Sequence, residues 1–229
     1  MKKIIALVLL LCLALSCMPA MAGAALERTE TRVIRDIDNK MISVYLQLTN
    51  TGDVPVGLDK ATISLYDAND TLLLEESTYG MYPGYLLPGE VGYVIKVFYS
   101  VDPEVAKAIS TYTVNLEAES EWLYEIKRLP ATVSYVKEEG SYSTYHYAEM
   151  AITNDTADML WEPEYVFVVR STAGKILSVV HSNAFDTGTI AGGTIYCRSN
   201  LGTKSVDTWT AAGHEIGEIE VYAYYELDE

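Results

Sequence analysis

The sequence predicts an all-β protein made of two tandem antiparallel β-sandwiches, with a short helical crossover in at least the first. Three observations carry this. Apolar and polar residues alternate over many short stretches. Clusters of Gly, Pro, Asn and Asp separate those stretches. The first half of the chain also reappears in the second.

Residues 1–22 stand outside the fold. Lys2 and Lys3 precede an apolar run from Ile4 to Leu15, and Ala20-Met-Ala22 supplies a small-x-small cleavage site. This is the pattern of a bacterial signal peptide and predicts a secreted, extracellular protein. The competing reading is a lipoprotein anchored through Cys17 of Ala14-Leu-Ser-Cys17, although its branched residue sits one place too close to the cysteine. No later apolar run is long enough to span a membrane.

The first sandwich is expected over 26–127. A strand opens it at 29–36. Ile42, Val44, Leu46 and Leu48 then alternate with Ser43, Tyr45, Gln47 and Thr49, the clearest period-two run in the chain. Asn50-Thr-Gly-Asp53 forms a turn. Strands follow at 59–66, 71–77 and 91–99, the last rich in β-branched and aromatic residues. Asp102-Pro-Glu-Val-Ala-Lys-Ala108 combines a capping Asp, a Pro suited to the first turn and an early Glu, which predicts one or two helical turns. A closing strand runs over 111–124, and Lys127-Arg-Leu-Pro130 is the expected junction.

The second sandwich is expected over 128–229, with strands at 132–137, 145–153, 164–170, 175–181, 194–199 and 216–226. Its crossover is a weaker helix at Asp207-Thr-Trp-Thr-Ala-Ala-Gly213, stopped by Gly213. A shift of 104 residues sets Leu48-Thr-Asn50 against Ile152-Thr-Asn154, Gly84 against Gly188, Gly89 against Gly193 and Tyr93 against Cys197. A shift of 105 then sets Ser100-Val-Asp102 against Ser205-Val-Asp207, and Val114 and Leu116 against Ile219 and Val221.

Ile63-Ser-Leu-Tyr-Asp67, with Leu48-Thr-Asn-Thr-Gly52 before it and Leu87-Pro-Gly-Glu90 after it, resembles the FxLYD domains, Ile standing for the Phe. The second copy keeps Phe167 and Val169 but has Arg170-Ser171 for the Tyr-Asp. The resemblance implies small immunoglobulin-like sandwiches in exported or lipid-anchored bacterial proteins. It brings no catalytic residues.

Charge and cysteine content narrow the function. The net charge of −16 becomes about −18 without the two leader lysines, which repels nucleic acid and anionic membranes. Cys12 and Cys17 lie in the leader, so Cys197 has no partner for an internal disulfide. Cys197 alternates with Ile195 and is expected to face the core as a small apolar residue rather than act as a nucleophile served by His146, His181 or His214. No zinc spacing exists. Asp67-Ala-Asn-Asp70 reads as a turn lacking the glycine and distal glutamate of a calcium loop, and Glu117, Glu119 and Glu121 read as a solvated strand face. Catalytic residues, metal and cofactor are therefore expected to be none.

The functional hint is aromatic. Tyr79-Gly-Met-Tyr-Pro-Gly-Tyr85 places Tyr79, Tyr82 and Tyr85 at spacing three, where the second copy has no tyrosine. Such rings stack on sugars or anchor peptides; the alternative is that they cover the open core or the contact between sandwiches. Tyr142, Tyr145 and Tyr147, with Tyr222 and Tyr224, form a second group consistent with strand composition. The reading is a non-enzymatic, cell-surface or secreted binding or spacer module for a protein or glycan. The alternatives are a structural subunit pairing through an edge strand, and a carboxylate-based hydrolase using residues such as Glu117 or Asp186, whose pairing across a sheet spacing does not reveal.

Overall fold

The computed structural model describes residues 23–120, 125–184 and 186–227. The leader, including Cys17, lies outside them, as do Glu121 and the end of the expected closing strand. Among the described residues no helix is long and apolar enough to cross a membrane.

The described chain forms two antiparallel β-sandwiches. In the first, β1 (Leu26–Asp36), β2 (Met41–Asn50) and β6 (Val91–Phe98) make one sheet in the order β1-β2-β6. The facing sheet is centred on β3 (Val56–Tyr66), which pairs β4 (Leu72–Thr78) and β5 (Tyr85–Leu86) on one edge and β7 (Thr111–Glu119) on the other. The alternation of β2 is fully realised: Ile42, Val44, Leu46 and Leu48 are all completely buried. Burying each contributes about 1.5–3 kcal/mol relative to exposure. They meet Ile63 and Leu65 from β3, so the apolar pair of the Ile-Ser-Leu-Tyr-Asp stretch belongs to the core.

Helix α1 (Pro103–Ala108) crosses between the sheets and buries Ala106. The Asp102 carboxylate accepts a hydrogen bond from the Glu104 N–H at 2.8 Å, which caps the first turn. Replacing Asp102 with alanine is expected to lower stability by about 1 kcal/mol. Thermal unfolding checks it.

The second sandwich repeats the plan. One sheet has the order β15-β10-β9, from β9 (Ala131–Glu139), β10 (Thr144–Thr153) and β15 (Thr194–Asn200). The other runs β13-β12-β16-β8, from β8 (Glu125–Leu129), β12 (Glu164–Ser171), β13 (Ile176–Asn183) and β16 (Ile216–Leu227). A small ladder joins β11 (Leu160–Trp161) to β14 (Gly188–Thr189). Phe167 and Val169 fill the core beside Ala148, Met150 and Ile152.

Three expectations need correction. The junction expected at Lys127 to Pro130 is mostly strand: β8 pairs with Ala223–Leu227 of β16, so 125–129 belong to the second sandwich. The second helix, α2 (Thr203–Ala211), begins four residues before Asp207, because Val206 and Trp209 bury one turn apart. The internal repeat also has a different register. Asn50 and Asn154 hold equivalent places, donating to the carbonyls of Leu86 and Thr189 respectively, which makes the shift 103 there. Gly89 consequently matches Gly192, both in the left-handed region, and Tyr93 matches Tyr196 rather than Cys197. After the longer second helix Val114 matches Val221, a shift of 107.

Candidate functional site

The two sandwiches are packed face to face, and this joint consumes much of the chain's unusual chemistry. The outer face of the β1-β2-β6 sheet lies against the outer face of the β13-β12-β16 sheet. Val166, Val168, Ile176 and Val179 supply the apolar side from the second sandwich. Tyr45, Tyr93, Val91 and Ile95 supply it from the first. The equivalent outer positions of the first sandwich hold Thr62 and Ser64 opposite Ser77 and Glu75, tied to them by side-chain hydrogen bonds of 3.0 and 2.6 Å. The same sheet face is thus polar in one copy and apolar in the other, and only the apolar one is covered.

Arg170, which stands at the Tyr66 position of the repeat, locks this contact. Its side chain is 13% exposed and bridges Glu30 of β1 at 2.8 Å and Glu220 of β16 at 2.5 Å. It also donates to Gln47 Oε1 at 2.5 Å and to the Gly174 carbonyl at 3.1 Å. Glu30 accepts in addition from the Ile176 N–H at 3.0 Å. Burial opposes the guanidinium charge, but the hydrogen bonds it donates to Glu220 and Glu30 outweigh that and raise its pKa. Tyr93, 1% exposed, donates to Glu220 at 3.3 Å, and burial followed by its bond to Tyr222 pushes its hydroxyl pKa up.

The three loop tyrosines separate. Tyr85 lies in the joint: the Ile126 N–H donates to its hydroxyl at 2.9 Å, and the Arg128 guanidinium lies 5.6 Å from the ring centroid while holding Glu90 with two bonds, at 2.6 and 3.1 Å. Tyr82 stacks on His181 at 3.7 Å between centroids, 14° from parallel. Tyr79 alone points outward, 68% exposed. The expectation of a three-ring ligand loop is corrected for Tyr85, which the joint buries, while Tyr82 stacks on His181 of the neighbouring sandwich and remains half-buried. In the second copy Gly188 holds the place of Tyr85, and the Trp161 ring lies where a side chain would stand.

Beside this loop a cleft of about 310 Å³ is lined by Tyr79, Tyr82, Glu119, Glu164 and His181. Glu164 is bound to His181 Nε2 at 2.7 Å and accepts from the Tyr224 hydroxyl at 2.8 Å. The His181 bond holds its carboxyl below the usual range against the opposing effect of burial. That arrangement orients the His181 and Tyr224 rings about one carboxylate. Cys197 packs against the second core, and burial pushes its thiol pKa up, which keeps it in the unreactive thiol form. Asp67 accepts from the Asn69 and Thr71 N–H groups at 2.8 and 2.9 Å, so its carboxylate closes a turn. Among the described residues no group of three or more His, Cys, Asp and Glu is placed to hold a metal ion.

The second sandwich leaves open the face that the first has covered. Tyr196, the match of buried Tyr93, is 82% exposed. Its cross-strand neighbour is Ala151, where the first copy has Gln47. These residues, with Thr132, Ser134, Glu149 and Arg198, line a depression of about 440 Å³. Arg198 is fixed by Glu138, by Glu149 at 3.1 Å and by the Tyr147 ring 3.7 Å beneath it. Tyr147 in turn stacks with Tyr145. Sequence reasoning placed Tyr145 and Tyr147 in view but missed Tyr196, because the register was one residue off.

No protein-family model matches this chain, and no curated protein is similar to it. Among solved structures it is similar to a crystal structure of red sea bream transglutaminase, at 8% identity and a TM-score of 0.24. The likeness covers 87% of this chain and 29% of that one. It carries no argument about function.

Proposed function

We propose that this chain is an exported, non-enzymatic binding protein in which one FxLYD-like immunoglobulin-like sandwich is fixed against another that presents a recognition face. The observation that carries this reading is the contrast between equivalent tyrosines: Tyr93 is buried in the joint while Tyr196 stands open on a lined depression. An aromatic ring left exposed where its counterpart is covered fits a surface kept for a partner. Export rests on the leader, and the FxLYD likeness on the buried Ile63 and Leu65, the Asp67 turn and the Asn50 turn.

Cosedimentation with bacterial cell envelopes tests the binding reading. Wild-type protein is expected to pellet with the envelopes, and a Tyr196→Ala, Ala151→Leu variant to lose at least about tenfold in affinity, close to 1.4 kcal/mol. Equal pelleting by both proteins counts against the face. The mass of the mature N-terminus tests export: a chain starting at Gly23 supports secretion, and an acylated Cys17 replaces it with a lipid anchor.

A further inference from the structure

We infer that the open face of the β9-β10-β15 sheet is a glycan site, in which the Tyr196 ring stacks on a sugar and the Arg198–Glu149 pair hydrogen-bonds its hydroxyls. This deepens, and rests on, the binding reading above.

The lining argues for this ligand class by composition. A pyranose has an apolar C–H face and a polar edge. Tyr196 supplies a flat apolar surface, and Ala151 beside it leaves room for a ring to settle against the sheet. Glu149, Arg198, Ser134 and Thr132 place donors and acceptors around that room. The polar groups are held before any ligand arrives, since Arg198 is pinned between two carboxylates and an aromatic ring. Preorganised polar groups lose little entropy on binding. The depression, about 440 Å³, falls within the usual range for small-ligand sites.

The same composition disfavours other occupants. The joint covers Tyr45, Val91 and Ile95 in the first sandwich; their counterparts here are Glu149, Thr194 and Arg198. That exchange removes the apolar area that docks one sandwich on another while retaining the tyrosine. Two glutamates around one arginine make a poor site for an anion, so a neutral glycan fits better than an acidic or phosphorylated one.

Calorimetric titration of residues 23–229 with hexasaccharides of β-linked glucose, N-acetylglucosamine and xylose and of α-linked glucose tests the inference. NMR of the tyrosine ring resonances accompanies it. At least one sugar is expected to bind and to shift the Tyr196 resonance. Tyr196→Ala and, separately, Ala151→Leu are expected to weaken it at least about tenfold, as loss of an aromatic stacking platform does. Both positions face solvent on a strand, so an unchanged melting temperature certifies the fold. Binding of none of the sugars, or binding that both variants leave intact, overturns the inference. If no sugar binds but envelope pelleting still depends on Tyr196, the recognition face stands and the ligand class is wrong. If pelleting is also indifferent to Tyr196, both readings fail. A dimer in sedimentation that Tyr196→Ala dissolves would assign the face to a second copy and likewise overturn the glycan reading.

Discussion

Replacing Arg170 with alanine is expected to destabilise the protein by about 2–5 kcal/mol, the range for truncating one partner of a desolvated charge network. The loss is large because two carboxylates, Glu30 and Glu220, remain close together and mostly covered without the cation that holds them. Tyr93 and Gln47 lose a partner as well. Because the network ties β1 to β12 and β16, the effect falls on the joint more than on either core. Urea unfolding is expected to change from one transition to two, each sandwich melting with its own midpoint. Arg170→Lys should recover only part of the loss, since an ammonium cannot reproduce the planar fork that reaches Glu30, Gln47 and Glu220 together. A single transition at the wild-type midpoint would mean that the apolar contact alone holds the joint.

Asn154→Ala is expected to cost about 2–4 kcal/mol, through buried carbonyls left without donors. The Asn154 side chain is fully buried, and its Nδ2 donates to the carbonyls of Asp158 at 2.8 Å and Thr189 at 3.0 Å. Its Oδ1 accepts from the Thr156 N–H at 3.0 Å. Asn50 makes the matching bonds to Val54, Leu86 and Gly52 in the first sandwich. Asn50→Ala should therefore give a similar loss, which makes the pair an internal control. Denaturant midpoints check this, and a loss below about 1 kcal/mol would show that water replaces the amide.

Local chemistry was legible wherever it was repeated within a few residues. The β2 alternation, the Asp102 cap and the Asp67 turn each depend on neighbours in sequence, and each was read correctly. The joint was harder to see. Arg170 registers in the sequence only as a departure from the Tyr-Asp of the first copy, and its carboxylate partners lie 50 and 140 residues away. Tyr82 and Tyr85 were visible as an aromatic loop, yet what they touch comes from His181 and Ile126. Tyr196 was lost to a one-residue slip, which in a strand exchanges inner and outer faces. The slip arose because the second copy's loop before β14 is one residue shorter, and gapless matching could not register it.

The polar outer face of the first sandwich has a consequence for assembly. The joint is heterologous: two different surfaces meet, one from each sandwich. Contacts of that kind can propagate without limit when every unit offers both surfaces, and then yield filaments. A duplicated chain is exposed to this hazard, because each sandwich inherits the same two sheet faces. Here Thr62, Ser64 and Glu75 stand where the second copy has Val166, Val168 and Val179, so this face lacks the apolar surface through which the joint forms.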